Sequence, residues 1–297
     1  MHEGLPALAY STLMRLLPLV CAMSCLLGAE RAVDPTFLKR SVPDVRDAAA
    51  DLTSSTCRYK PVFGAGDADA RILRGIERFG EITVTAGGSS ETVRYPAEEQ
   101  VYVVLEGSGT IIYGEKKLPV RKGDFLYLPA GVAHAISAGP GASCRAIVMG
   151  FRIPSGANAT GPAQPEVANI EAVKTQTVGG HPDSVLYRLL MGDTTSTRDR
   201  IAAGHVLTSL FVMEFAPGGT NFPHHHETEE EIYLVLSGRG EMVAGGGMNG
   251  VEARFPAKAG DAYFFRLNCT VGFYASKDAG EPARILAVRS RFPFARR

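Results

Sequence analysis

The sequence predicts an all-β protein built as two tandem jelly-roll-like β-barrels. Three observations carry that prediction. The chain repeats itself: Gln100–Gly107 aligns with Glu231–Gly238, Gly87 with Gly218 at the same offset, and Gly123-Asp124 with Gly260-Asp261 at a slightly larger one. Each copy consists of short β-branched or aromatic runs set between Gly, Pro and Asp signals, which is the pattern of a sandwich or barrel. Helix signals are few.

In the first copy the predicted strands are Ile82–Thr85, Val101–Leu105, Gly109–Tyr113 and Phe125–Leu128. In the second they are Phe211–Phe215, Ile232–Leu236 and Tyr263–Phe265. The Gly-rich stretch Gly245–Gly250 accounts for the larger offset as a longer hairpin loop. Pro35–Arg40 and Asp44–Leu52 read as short helices in an N-terminal arm. Arg152–Asp183, rich in Pro, Gly, Ala and Thr, reads as the connection between barrels. The organisation is thus residues 1–29 a signal peptide, 30–69 an arm, 70–151 the first barrel, 152–199 a linker and barrel-edge segment, and 200–297 the second barrel.

The 297 residues are 45% hydrophobic and 21% charged, with a net charge of +0. That suits two ordinary globular domains and gives no electrostatic reason to expect a nucleic-acid partner. Arg15, the apolar run Leu16–Leu27 and then Gly28-Ala29-Glu30 follow the order of a secretory signal, so the mature chain is expected to begin near Glu30, periplasmic or secreted, with no membrane span. Of five cysteines, Cys21 and Cys25 fall in that segment. Cys57, Cys144 and Cys269 are too widely spaced for a disulfide framework, although one bridge between Cys57 and Cys144 is conceivable in an oxidising compartment.

The chemistry concentrates in the second copy, which reads Gly218-x5-His224-x-His226-x4-Glu231-x6-Gly238. Residues two apart on a strand share a face, so His224 and His226 can point into the barrel while His225 points away. A short turn then returns Glu231 on the adjacent strand. Two imidazoles and a carboxylate meeting at one point resemble the facial triad that leaves coordination positions open.

This spacing is the first motif of the cupin superfamily, and the chain resembles a bicupin over roughly residues 70–150 and 200–292. The family's second motif ends in a further histidine ligand. Here the second copy has Gly260-x5-Arg266-x-Asn268-x2-Val271, so that ligand is lost, while Asn268 can keep the left-handed turn. The first copy is the reverse. Gly123-x5-Pro129-x-Gly131-x2-His134 is intact, but Val93, Tyr95 and Gln100 stand at the other ligand positions. The resemblance therefore implies one divalent ion (Zn, Mn, Fe, Ni or Cu) on His224, His226 and Glu231 only. Around it, Tyr233, His205, Arg266 and Cys269 are candidate pocket residues. His134, Gln100 and Tyr95 would line a metal-free pocket in the first barrel. Glu227, Glu229 and Glu230 read as a solvated rim.

Similar bicupins include dioxygenases of phenolic compounds, oxalate decarboxylases and sugar-acid isomerases or lyases. The expectation is a metalloenzyme of oxidoreductase, dioxygenase-like type acting on a small organic molecule. The alternatives are a metal-dependent lyase or isomerase, or a non-catalytic bicupin that binds a sugar or organic acid as monomer or homodimer. A chain threaded unfolded through a membrane would acquire its ion outside, which favours zinc, copper or nickel.

Overall fold

The computed structural model describes residue 1 and residues 34–156, 164–246 and 252–293. The predicted signal segment, and most of the predicted glycine-rich loop, lie outside the described residues. Nineteen strands are described. They are β1 (Phe37–Ser41), β2 (Cys57–Gly64), β3 (Ile76–Val84), β4 (Glu98–Glu106), β5 (Ser108–Tyr113), β6 (Lys116–Arg121), β7 (Asp124–Leu128), β8 (His134–Ala138), β9 (Cys144–Arg152) and β10 (Val167–Asn169). The series continues with β11 (Val185–Asp193), β12 (Ile201–Gly204), β13 (Leu207–Phe215), β14 (Glu229–Ser237), β15 (Arg239–Gly245), β16 (Glu252–Lys258), β17 (Asp261–Phe265), β18 (Thr270–Ala275) and β19 (Ala283–Arg291).

Each barrel pairs a large sheet with a three-stranded one. The first has the sheet β10-β7-β4-β9-β3-β2 and the sheet β6-β5-β8. The second has β1-β17-β14-β19-β13-β11-β12 and β16-β15-β18. The fold is all-β, as the repeat predicts. The arm departs from expectation. Phe37–Ser41 is a strand, not a helix, and lies antiparallel on β17 of the second barrel. Val42–Asp44 forms one 3-10 turn, and the following residues to Ala50 have no regular structure, so the helix predicted over Asp44–Leu52 is also absent. The linker mirrors the arm, because β10 pairs with β7 of the first barrel. Each segment preceding one barrel thus completes the edge of the other, covering unpaired strand groups that would otherwise be exposed.

Strand parity divides the interior into three apolar cores. On β4, Val101 and Val103 face the other barrel while Tyr102 and Val104 face inward. On β14, Ile232 and Leu234 face the first barrel while Tyr233 and Val235 line the second. Two carboxylates cross the shared face. Glu99 accepts the backbone N–H groups of His205, Val206 and Leu207 at 2.7–2.8 Å, plus the Tyr127 hydroxyl. Its equivalent Glu230 accepts those of Arg74, Gly75 and Ile76 at 2.8–3.2 Å. Both are fully buried. Glu230 is therefore not part of a solvated rim. Its strand parity, opposite to that of Glu231, sends it between the barrels, where burial raises its pKa against the pull of the Gly75, Ile76 and Arg74 amides.

The Cys57–Cys144 bridge does not form. Both residues pair with Val84, one from each side. They are two strand spacings apart, about 9–10 Å, beyond disulfide reach. All three described cysteines are free and buried.

Candidate metal centre

His224 stands between β13 and β14 in an isolated bridge with Val271, exchanging two backbone hydrogen bonds of 2.8 and 3.0 Å. His226 is held through its carbonyl, which accepts the Asn268 amide at 2.8 Å. Asn268 adopts φ +58, the left-handed turn expected at that position, as Gly131 does in the first barrel at φ +78. Glu231 projects inward from β14, opposite Phe265 and Arg289. One ligand atom each from His224, His226 and Glu231 falls within 4.8 Å of the others. His225 points outward with 56% of its side chain exposed.

The site's polar atoms fit a cation. The Glu231 carboxylate is buried, and a buried charge needs a compensating one. His226 Nε2 lies 3.2 Å from Glu231 Oε2, but the pair is not aligned as a hydrogen bond, and both atoms lack a hydrogen-bond partner. Arg289 Nε, 3.9 Å from Glu231 Oε1, is likewise unpartnered. So are the Tyr187 hydroxyl and Ser209 Oγ. All five atoms belong to residues lining one cavity of about 80 Å³. Buried polar atoms are normally satisfied, and an ion with a small molecule is one way to satisfy this cluster; the first barrel also leaves Gln100 Oε1 and His134 Nε2 without partners. His224 Nδ1 donates to Phe222 O at 2.8 Å, which leaves Nε2 as the ligating nitrogen.

Burial lowers the pKa of His224. For His226, burial is outweighed by Glu231, and the pKa rises. For Glu231, burial acts upward but His226 and Arg289 prevail, so the carboxyl stays below its usual range. A ligating histidine must be neutral, and His226 loses its neutral form as pH falls through a pKa above the ordinary histidine value. Glu231 stays ionised lower still. Acidification from about pH 8 to about pH 5 is therefore expected to release a bound divalent ion, with the histidines setting the midpoint. Equilibrium dialysis across that range checks this, and full retention at the acid end contradicts it.

The other predicted pocket residues divide. Tyr233 lines the cavity, its hydroxyl accepting Asn221 Nδ2 at 3.1 Å. His205, Arg266 and Cys269 are not among the cavity-lining residues. His205 sits at the junction between barrels, giving its amide to Glu99. Arg266 gives its amide to Thr36. Cys269 is a buried thiol whose Sγ lies 3.4 Å from Thr270 O, and burial raises its pKa. The sequence reading did not single out His181, Tyr187, Arg198, Ser209 or Arg289, which also line the cavity. A larger cleft of about 780 Å³ lies between the barrels and holds Arg145, paired with Glu81 and Glu106, and Arg284, paired with Glu171 and Glu214; none of the three candidate ligands lines it.

In the first barrel a guanidinium stands among the residues at the ligand positions. By register, Arg78 is the equivalent of Ser209, and Gly150 of Arg289. Arg78 donates to Glu98 at 3.1 Å, to the Tyr95 hydroxyl at 3.0 Å and to Asp51 at 3.3 Å, and it stacks over the Tyr95 ring. Gln100 Nε2 donates to Glu98 at 2.8 Å. His134 is buried, Nδ1 on Val132 O and its pKa lowered by burial. A Cβ on Gly150 would come within 2.6 Å of Gln100 Nε2 and 2.7 Å of Arg78 Cγ, so the glycine leaves room for the Arg78 side chain. The triple substitution Val93→His, Tyr95→His and Gln100→Glu, which with His134 completes four ligands, is expected to add no ion while Arg78 remains. Adding Arg78→Ser should admit a second ion. Elemental analysis decides, and a second ion in the presence of Arg78 would contradict the account.

Two barrels, with one His2Glu cluster among the described residues, define a double-barrel protein with a candidate metal site in the second. The chain belongs to the cupin domain family, which matches residues 80–150 and 211–289. Solved structures of similar fold include the Ylba protein of E. coli, with a TM-score of 0.65 and 15% identity over 92% of this chain and 98% of that one. Another is an oxalate decarboxylase of Lactobacillus farciminis in complex with formate, at 0.65 and 12% over 89% and 88%. A third is the oxalate decarboxylase of Bacillus subtilis, studied for its Mn(II) centres, at 0.63 and 14% over 89% and 80%. An uncharacterized protein of Methanocaldococcus jannaschii is 30% identical over 66 residues, which is 22% of this chain and about half (53%) of that protein's length. Among the described residues, no helix is long and apolar enough to cross a membrane.

Proposed function

We propose that the second barrel is the site of a metal-dependent enzyme acting on a small organic acid, with the oxidative, dioxygenase-like chemistry expected of a three-ligand centre. The observation that carries this reading is the convergence of five unpartnered buried polar atoms on one cavity of about 80 Å³. A divalent ion held by His224, His226 and Glu231 would supply Lewis acidity and open coordination positions. The protein's own groups do the rest. Arg289 presents an unpartnered Nε beside the ligand set, while its Nη1 pairs with Glu229 and Arg198 pairs with Asp199, so that Nε is the guanidinium donor open to a carboxylate. Ser209 Oγ and the Tyr187 hydroxyl offer further hydrogen bonds. Phe211, Leu189 and Val178 exclude water around them. The cavity is small and carries a cationic group beside the ligand set, which favours a short carboxylic acid. Oxalate and formate, molecules in the names of structural relatives, are acids of that kind.

The test is turnover of a panel of short carboxylic acids by metal-loaded protein, followed by oxygen uptake and carbon dioxide release, with Glu231→Ala as control. Turnover with oxygen uptake supports the reading. Turnover without it moves the chemistry to a lyase or isomerase, and binding with no turnover makes the barrel a binding module. We also propose export, on the order of residues around Leu16–Leu27. N-terminal sequencing of protein from its native host should find a chain starting near Glu30, and a retained Leu16–Leu27 would contradict it.

A further inference from the structure

His181 lies in the segment ahead of β11, outside both stretches matched by the cupin domain. Its Nδ1 is 2.9 Å from Asn221 O and donates to it, as His224 Nδ1 does to the next carbonyl, Phe222 O. Two consecutive carbonyls thus orient two imidazoles. The backbone that presents them is held on purpose: Phe222 adopts φ +53, rare for a bulky residue, and buried Asn221 is anchored by accepting Phe273 N–H at 2.8 Å and donating to Tyr233. The His181 ring stands 5.3 Å from the His224 ring, edge-on, and 5.3 Å from Tyr187. With Nδ1 committed to the Asn221 carbonyl, Nε2 is the ring nitrogen left to serve a ligand.

His181 lines the metal cavity yet falls outside the group of ligand atoms lying within 4.8 Å of one another. That placement suits a group that meets a bound ligand rather than the ion itself. The first barrel uses the same segment similarly. Ala48 bonds Tyr59 there as Gln176 bonds Tyr187 here, and nearby Asp51 reaches Arg78 at 3.3 Å. In both barrels the stretch before the first strand delivers a polar side chain to the pocket.

We propose that His181 Nε2 accepts a hydrogen bond from a donor on a ligand bound in this cavity, and so selects small carboxylic acids that carry a hydroxyl or amine beside the carboxyl group. The proposal rests on the metal and carboxylate reading above. The test uses the full chain loaded with Co2+, titrated with glycolate and with acetate while the cobalt absorption bands are followed. Glycolate should bind about tenfold more tightly, the effect of one buried hydrogen bond to an otherwise unsatisfied group. His181→Phe should abolish the preference while leaving cobalt stoichiometry and acetate affinity in place, and His181→Gln, which keeps an acceptor oxygen, should restore part of it. A preference that survives His181→Phe overturns the proposal. So does loss of cobalt from that variant, which would make His181 a ligand. If cobalt binds the unaltered chain and neither acid perturbs its bands, the carboxylate reading fails. If cobalt does not bind, the metal reading fails.

Discussion

Replacing Glu230 with alanine is expected to lower stability by about 3 kcal/mol or more, because it strands the backbone N–H groups of Arg74, Gly75 and Ile76 at once, the last two of them buried. In a chain of this size, melting in one transition, that corresponds to a fall in Tm of roughly 5 °C. Glu99→Ala should act alike, since it releases the amides of His205, Val206 and Leu207 and the Tyr127 hydroxyl. Glu230→Gln, which keeps one acceptor oxygen, should cost less. The two glutamates tie the barrels reciprocally, β14 to the start of β3 and β4 to the start of β13, across a shared apolar core. Either change should therefore lower the melting of both barrels in one transition. Calorimetry checks this, and an unchanged Tm or the loss of one barrel alone would contradict it.

The second large effect concerns the metal. Glu231→Ala removes the only carboxylate among three candidate ligands and leaves two imidazoles facing Arg289, a cation. Affinity for a divalent ion should fall below what stoichiometric binding requires, and His226→Ala should behave alike. His225→Ala should leave binding intact, because that ring points to solvent. Isothermal titration with Zn2+ separates the three. Equal loss in His225→Ala would show that strand parity does not define the site.

Much of this was legible in the sequence. The repeat and the short apolar runs Val101–Leu105 and Ile232–Leu236 are visible along the chain, and they carry to two barrels without tertiary information. The same holds for His224, His226 and Glu231, although the histidines lie in the segment before β14, held by one bridge from His224 to Val271, and not in the strand that the spacing predicts. What was missed depends on the other barrel or on distant segments. Phe37–Ser41 becomes a strand because β17 offers it an edge, which nothing local to the arm announces. Glu230 and Glu231 are adjacent in one acidic run, yet parity sends one between the barrels and the other to the metal cluster. A strict period-2 reading from Glu231 would have separated them. Arg289, Ser209 and Tyr187 enter the cavity from strands outside the motif, and His181 enters from the segment before β11. Comparing the copies position by position, with Arg78 against Ser209 and Gly150 against Arg289, was the available signal for the guanidinium exchange.

The most direct test of the central claim is the metal content of protein purified from its native host, without chelators or nickel affinity, combined with anomalous diffraction at the edge of the metal found. The account predicts one ion per chain, between His224, His226 and Glu231, with no density beside Arg78 in the first barrel. If the protein matures outside the cytosol, zinc, copper or nickel is expected ahead of manganese or iron. Two ions per chain, or one lying away from those three residues, would contradict it.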